Sequence, residues 1–320
     1  MSLMFFISGL FVFTGIHKKG AVRFLYERFI RLGIPFIVAV TFIIPLAYLP
    51  AWYRVHHNFN LIDFLSDYLI NQQWPVGPPW FIWLLLFFNI IAAIIPATFY
   101  NMIYTAATRL VQHPVRFILV AYIIISIAYT PLSLWIGQYT WTGWGPFDFQ
   151  LNRIFLYAVF FLFGVSLGSG DWEKHFFANN KLMQKGWPFW VFICLFCYAI
   201  VEVISFTFPD MVKGGTLKPG LAYFIFDLIF VASCLVSSLA CLAFFKQKIK
   251  SEQNFWNSIA ANAYGIYIVH YIFVTWLQWA LSQSTIPVIL KFFIVFTAAL
   301  TASWLIINWI RKIALFKKVL

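Results

Sequence analysis

The sequence predicts an all-α protein, a polytopic bundle of transmembrane helices. Of its 320 residues, 62% are hydrophobic and 10% are charged, whereas a soluble fold of this size carries about 25% charged residues. The apolar residues come in runs of about 20, the length of helix that crosses a hydrocarbon core of about 30 Å. No internal repeat or low-complexity linker interrupts these runs, which favours a single domain over residues 1–320.

We divide the chain into about nine spans. They cover residues 1–16, 32–50, 79–98, 117–136, 153–169, 188–209, 220–245, 259–281 and 287–309. Pro35 lies near the start of its run, where a helix does not need the missing N–H. Pro45 and Pro96 lie towards the ends of theirs, where a kink or a termination is tolerated.

The basic residues predict the orientation of the bundle. Seventeen Lys and Arg fall in the segments 17–31, 99–116, 170–187, 246–258 and 310–320, and the remaining five are Arg54, Arg153, Lys213, Lys218 and Lys291. In strict alternation, the richer group belongs in the cytoplasm. The C-terminus is then cytoplasmic, Met1 lies outside, and the protein is predicted to be a multi-pass protein of the cell (inner) membrane.

The first span is anomalous in this scheme. Sixteen helical residues measure about 24 Å, less than the hydrocarbon core, and no upstream charge holds their start outside. The basic residues follow the apolar run, whereas in a signal peptide they precede it. We therefore expect a further helix before this one, which the sequence does not contain.

The net charge of +12 does not predict a nucleic-acid partner. Lys and Arg sit at the ends of apolar runs and form no continuous basic face. Cys194 and Cys197 form a CxxC inside an apolar run, which is more typical of helix packing than of redox chemistry. His56, His57 and two nearby aspartates lack metal-site spacing, so no metal is predicted.

Arg28 and Arg31 are the first candidate binding residues. Three positions apart, they project from the same side of a helix. Two guanidinium groups there offer forked donors suited to a phosphate-rich ligand. The same residues also fit a positively charged flank that only fixes orientation, and that alternative stays open.

Ionisable residues inside membrane spans are candidates because they are expensive to place there. Glu202 and Asp227 are predicted at matching depths in consecutive spans, which favours a shared polar pocket, or a structural hydrogen bond for each alone. His270 lies midway along a late span, with Tyr267 one turn away. It suits a proton relay or the orientation of a reacting group, and equally a buried histidine bonded to a tyrosine.

The segment 137–152 is dense in Trp, Tyr, Gly and Gln. Aromatic faces stack on sugar rings and amides bond to hydroxyls, so this segment fits a surface that faces carbohydrate. An aromatic belt at the membrane interface explains the same composition at least as well.

Four motifs occur in order along the chain: Phe6-Ile7-Ser8-Gly9-Leu10-Phe11, Arg28-x-x-Arg31 before Leu32-Gly33-Ile34-Pro35, Gly77-Pro78-Pro79-Trp80, and Tyr264-Gly265-Ile266-Tyr267-Ile268-Val269-His270. In their order and spacing they resemble the membrane acyltransferase-3 family. That family includes O-antigen and peptidoglycan acetylases and the succinyltransferase of periplasmic glucans. The resemblance covers essentially the whole chain.

The resemblance implies an enzyme that moves an acyl group from acyl-CoA, chiefly acetyl-CoA, to a hydroxyl of a glycan or lipid-linked saccharide. Arg28 and Arg31 match the Arg-x-x-Arg expected to contact the donor, and His270 matches the late Tyr-x-x-His as a catalytic candidate. The candidate substrate-binding residues are Ser8, Trp80, Tyr267, Glu202 and Asp227. Ser8 and Gly9 match a pair of small residues that lets helices approach closely.

The chain departs from the family pattern at its start. The family has ten spans, with its principal catalytic histidine on the first, and this sequence begins at the second. His270 is not assigned that role. Either the chain is truncated at its start, or it is a non-catalytic relative that assists a complete enzyme. A glycan or lipid transporter is a separate alternative that also stays open. Paired broken helices of the kind that many transporters have are not evident in the sequence.

Overall fold

The computed structural model describes residues 1–57, 60–168, 186–248 and 254–313. These residues form helices and no strand. In chain order the helices are α1 (Ser2–Leu10), α2 (Val12–Lys19), α3 (Ala21–His56), α4 (Leu61–Ser66), α5 (Trp80–Ile94), α6 (Ala97–Val111), α7 (Pro114–Ile136), α8 (Ile154–Leu167), α9 (Trp187–Lys213), α10 (Pro219–Lys248), α11 (Asn254–Ala280) and α12 (Val288–Ile310). The predicted all-α membrane bundle is confirmed.

Within the described ranges, six helices are long and apolar enough to cross a membrane: α3, α7, α9, α10, α11 and α12. A seventh crossing results if α5 and α6 form one span, but they are bent by 103° at a break next to Pro96. The prediction that Pro96 permits a termination is thus confirmed, because α5 ends at Ile94. A proline cannot supply the N–H that would continue the helix.

The other two predicted spans are shorter than a bilayer crossing. Residues 1–16 fall in α1 and α2, which are separated at Phe11. The predicted span 153–169 corresponds to α8, whose 14 residues measure about 21 Å. Residue 169 and most of the segment 170–187 lie outside the described residues. The count of nine spans therefore stays a prediction.

α3 differs most from its predicted span, which began at residue 32. The helix starts after Gly20, whose φ of 77° suits glycine. It therefore includes residues 21–31, most of the Lys- and Arg-rich segment 17–31. Wider π-helical turns occupy Phe29–Gly33 and Ala39–Ile43. Each lies just before a proline, Pro35 or Pro45, which removes one backbone donor from the hydrogen-bond ladder. The helix therefore widens locally before each of these prolines and continues past both.

Contacts divide the chain into two compact units. Unit 1 comprises residues 1–24, 88–141 and 150–251, and unit 2 comprises residues 25–87, 142–149 and 252–320. The single domain expected from the sequence stays a prediction.

Glycines bring α1 and α8 of unit 1 into backbone contact. A Cβ added at Gly9 would clash with the carbonyl oxygen of Phe161, one at Gly164 with that of Phe6, and one at Gly168 with that of Leu10. Small residues at such a crossing allow membrane helices to pack closely. The expected close approach at Ser8-Gly9 is confirmed, and Gly9 rather than Ser8 carries it.

In unit 2, α3 and α11 run parallel to each other and α12 runs antiparallel to both. The guanidinium of Arg311, at the end of α12, donates to the backbone carbonyl of Ala261 and, at 2.9 Å, to Oδ1 of Asn262. Both acceptors lie near the start of α11, so α11 and α12 are antiparallel. Trp276 donates from Nε1 to the Leu46 carbonyl at 2.9 Å. Tyr53 and Trp279, near the C-terminal ends of α3 and α11, contact at 5.7 Å between ring centroids. The start of α11, the end of α12 and the beginning of the unit 2 part of α3 therefore lie at one end of unit 2.

Candidate functional site

Arg28 and Arg31 lie on α3, as the sequence predicted for a helix. Arg28 is half-buried and Arg31 is exposed. Their charges are close enough to repel each other, and the carboxylate of Glu27 partly compensates at Arg28. Two neighbouring guanidinium groups at the end of a membrane helix form a concentrated positive charge. An anionic ligand with several phosphates would relieve their repulsion.

A second group of candidates meets where α11 passes the start of α5. The Tyr267 hydroxyl donates to the carbonyl of Pro78. The Tyr267 ring lies edge-on to Phe81, with 5.9 Å between centroids, and Phe81 in turn contacts the ring of Trp80. The structure thus joins two motifs that are 189 positions apart in the sequence.

His270 joins this group because its ring contacts the backbone of Tyr267, one helical turn earlier on α11. Its Nδ1 lies 2.6 Å from the carbonyl oxygen of Tyr267, and the two rings are 5.8 Å apart. A carbonyl oxygen only accepts, so this contact requires a proton on Nδ1, and in the neutral imidazole the lone pair is then on Nε2. The partner of His270 in this contact is the backbone carbonyl of Tyr267, and the hydroxyl of Tyr267 donates to Pro78.

The arginine pair and His270 lie at different depths of unit 2. The residue next to His270, Tyr271, contacts Tyr48 of α3 at 6.0 Å between centroids. Arg31 and Tyr48 are separated by 17 positions, or roughly 25 Å along a helix. The structure therefore does not bring these two sets together. A single ligand that reaches both must be long.

Asp227 of unit 1 is fully buried. Its Oδ1 accepts from the Ser133 hydroxyl at 3.2 Å and from the Gln138 amide at 3.1 Å. Asn152 continues the network by donating to the Gln138 carbonyl at 2.8 Å. Among the described residues, Oδ2 of Asp227 has no hydrogen-bond partner. Buried carboxylates usually satisfy both oxygens, so this network has an unused acceptor.

Comparison with known protein families shows which family the chain belongs to. A family model described as an acyltransferase domain, acyltransferase-3, matches residues 1–308. The chain belongs to the acyltransferase-3 family. No curated protein and no solved structure matches it significantly. The family match confirms the resemblance that four motifs indicated, and it makes the chain a multi-pass membrane acyltransferase.

Glu202, another predicted substrate-binding residue of this acyltransferase-3 protein, is not part of the hydrogen-bond network around Asp227. It is half-buried, and its carboxylate bonds to the hydroxyl of Tyr198, one turn earlier on α9. The hydrogen bonds found for Asp227 go to α7 and the loop that follows it. The shared pocket suggested by matching depths is therefore not formed by direct contact, since each carboxylate has its own partners.

Replacing Asp227 tests whether its network supports the fold. We expect Asp227→Leu to destabilise the protein by about 2–4 kcal/mol, because two donors lose their acceptor in a buried site. Asp227→Asn keeps an acceptor for both donors and should cost less than Asp227→Leu, although its own amide hydrogens replace an oxygen that has no partner among the described residues. Glu202→Leu serves as the matched control on the half-buried carboxylate. Thermal unfolding in detergent measures all three, and equal stability of Asp227→Leu and Glu202→Leu would contradict the assignment.

The segment expected to face carbohydrate contains a short ordered loop in unit 2. Oδ1 of Asp148 accepts from Thr142 Oγ1 at 2.7 Å and from the Gly143 amide at 2.8 Å. Trp144 is 63% exposed, and its ring contacts Phe149. An exposed, supported tryptophan fits a sugar-facing surface and an interfacial belt alike, so both interpretations stay predictions.

His56 at the end of α3 and Asp67 just after α4 are held by local contacts. The His56 ring stacks on Trp52 at 4.5 Å between centroids. Amides of Asn71 and Gln72 donate to Asp67 and hold the pKa of its carboxyl below the usual value. Because that pKa is depressed, the stabilisation by these bonds is present at neutral pH and is lost as the pH falls through it.

Sequence reasoning missed a cleft in unit 2 between the C-terminal parts of α3 and α11. It has a volume of about 390 Å³, and its lining includes Tyr48, Arg54, Tyr271, Gln278, Trp279 and Ser282. One signal was available, because Arg54 is one of only five basic residues outside the predicted cytoplasmic segments. The partners on α11 are more than 200 positions away, and spacing alone does not reveal such a pairing.

Proposed function

We propose that this acyltransferase-3 protein transfers an acyl group, chiefly acetyl, from acyl-CoA to a hydroxyl of a cell-surface glycan. The observation that carries the proposal is the pair Arg28 and Arg31 on one helix within a member of an acyltransferase family. Coenzyme A carries a diphosphate and a 3′-phosphate. Forked guanidinium donors suit these groups better than single point charges do.

The separation between the arginine pair and His270 fits a donor of this shape. Coenzyme A holds its thioester at the end of a long flexible arm, away from its phosphates. A donor bound through its phosphates at Arg28 and Arg31 can therefore extend along α3 towards the level of Tyr48 and Tyr271. A compact donor such as acetyl phosphate lacks this reach.

In the proposed reaction, the glycan hydroxyl attacks the thioester carbonyl. The new C–O bond forms, the C–S bond breaks, and the proton of the hydroxyl passes to the departing CoA thiolate, which leaves as the free thiol. With its proton on Nδ1, His270 presents Nε2 as an acceptor that can orient the hydroxyl or relay its proton. Tyr267 and Trp80 support this position through their ring contacts and the bond to Pro78. No residue is assigned as the principal base.

The proposed orientation places the arginine pair and the end of α12 on the cytoplasmic side of the inner membrane, where acyl-CoA is available. The excess of Lys and Arg in the corresponding segments supports this side. The opposite end of unit 2 then faces the compartment that contains the glycan. Ser8, Glu202 and Asp227 stay candidate substrate contacts of unit 1.

A transfer assay tests the proposal. Membranes that contain the protein are given acyl-labelled CoA and a glycan acceptor, and we expect label in the glycan together with release of free CoA thiol. His270→Ala should lower the rate by about 10²-fold, the lower range for loss of a proton-transfer group. His113→Ala is the control, since this exposed histidine lies at the start of α7 in unit 1. Movement of unmodified glycan without consumption of acyl-CoA would identify a transporter instead.

A further inference from the structure

The cleft between α3 and α11 has walls built from fixed aromatic rings. The Trp279 ring packs edge-on against Tyr53 at 5.7 Å and against Trp276 at 5.8 Å between centroids. On the other wall, Tyr48 packs edge-on against the buried Tyr68 at 5.8 Å. Edge-to-face packing of this kind fixes ring orientation. The cleft therefore presents rigid aromatic surfaces.

The same cleft contains polar groups that are available for a ligand. The side chain of Gln278 is exposed and makes no hydrogen bond within the described part of the chain. The Ser282 hydroxyl donates to the Trp279 carbonyl at 2.7 Å, which leaves its oxygen free to accept. An amide supplies two donors and one acceptor, and a hydroxyl oxygen supplies two lone pairs. This mixture matches the hydroxyl groups of a polyol.

The electrostatic character of the cleft is positive. Arg54 is exposed, and in the described ranges its guanidinium has no ion-pair partner. Among the described residues that line the cleft there is no carboxylate. A guanidinium at the mouth of such a cleft favours a ligand with a negatively charged group. The volume of about 390 Å³ falls within the range of small-molecule sites.

We propose that this cleft binds the acceptor as an anionic saccharide, with Arg54 pairing to a carboxylate or other acid group of the sugar. The sugar ring lies against Trp279 and Tyr48, and Gln278 and Ser282 bond to its hydroxyls. This inference rests on the proposed function, and it specifies which saccharides serve as acceptors. The aromatic walls favour a saccharide over a lipid headgroup, because a headgroup needs charge but no flat ring surface.

Calorimetric titration of the protein in phosphatidylcholine nanodiscs tests the proposal. The probes are a tetrasaccharide of glucose and the same tetrasaccharide oxidised to glucuronic acid at every C6. We expect the oxidised probe to bind about tenfold more tightly, since a charge-assisted bond is about twice as strong as a neutral one. This preference should shrink at 1 M salt, where the screening length falls to about 3 Å.

Two pairs of variants assign the binding to this cleft. Arg54→Gln should abolish the preference for the oxidised probe, whereas Arg116→Gln, an exposed arginine of unit 1, should retain it. Trp279→Ala should lower the affinity for both probes about tenfold. Trp279→Phe, which keeps a flat ring, should retain most of that affinity. If Arg54→Gln and Trp279→Ala bind both probes like the unaltered protein, the proposal is overturned.

Other outcomes separate this proposal from the proposed function. A protein that transfers acyl groups but binds neither probe overturns the cleft assignment alone. Arg54-dependent binding of the oxidised probe without any turnover of acyl-CoA contradicts the proposed function and leaves the cleft assignment intact. Loss of probe binding when phosphatidylglycerol replaces phosphatidylcholine identifies a site for anionic lipid headgroups, which also overturns the saccharide proposal.

Discussion

The double variant Arg28→Ala, Arg31→Ala is expected to lose acyl transfer at acyl-CoA concentrations that saturate the unaltered protein. Each guanidinium that contacts a phosphate contributes about 1.5–3 kcal/mol, so removing both should raise KM for acyl-CoA at least about 100-fold. Arg28→Lys, Arg31→Lys keeps the charge but loses the fork, and we expect an intermediate KM. Initial rates against acyl-CoA concentration measure the effect.

A matched control for this experiment removes the same amount of charge elsewhere. Arg109 and Arg116 are both exposed in unit 1, and Arg109→Ala, Arg116→Ala should leave KM for acyl-CoA unchanged. A general loss of membrane orientation would affect both double variants alike. Unaltered acylation of the glycan by Arg28→Ala, Arg31→Ala would show that these arginines do not contact the donor.

Gly164→Leu is expected to prevent α1 and α8 from packing. The Cβ alone would overlap the backbone of Phe6, and backbone cannot change rotamer to make room. Overpacking of a well-packed site usually costs 1–3 kcal/mol, so we expect a loss at the upper end, about 3 kcal/mol or more. Size-exclusion chromatography in detergent and the midpoint of thermal unfolding measure the result.

Gly220→Leu provides the comparison for Gly164→Leu. Gly220 lies in the first turn of α10, and no neighbouring atom lies within 4 Å of a Cβ added there. The same substitution therefore adds the same apolar volume to a helix without a clash. Equal thermal stability of the two variants would mean that the glycine contact between α1 and α8 does not support the fold.

Long apolar helices were predictable because a bilayer crossing imposes a minimum length. The predicted spans 117–136 and 287–309 agree with Pro114–Ile136 and Val288–Ile310 within a few residues. The continuity of α3 was not predictable from length. Basic residues and Pro35 both indicate a boundary in a sequence, and only the π-helical turn beside the proline shows how the helix continues through it.

The candidate site was predictable to the extent that its residues belong to local motifs. Arg28 and Arg31, and likewise Tyr267 and His270, are neighbours on single helices, so spacing was informative. The bond from Tyr267 to Pro78 and the cleft formed by Arg54 and Trp279 depend on which helices pack together. Apolar patterning does not distinguish one helix neighbour from another, because lipid and helix surfaces are equally apolar.

The proposed reaction requires the two ends of unit 2 to face opposite sides of the membrane. Single cysteines at Tyr26, Val55 and Ile313, which are 66%, 73% and 48% exposed, can report this after Cys194, Cys197, Cys234 and Cys241 are replaced by alanine. A membrane-impermeant thiol reagent is applied to sealed vesicles of each orientation. We predict that Tyr26→Cys and Ile313→Cys react from the cytoplasmic side and Val55→Cys from the other. Reaction of Tyr26→Cys and Ile313→Cys from opposite sides would contradict the account.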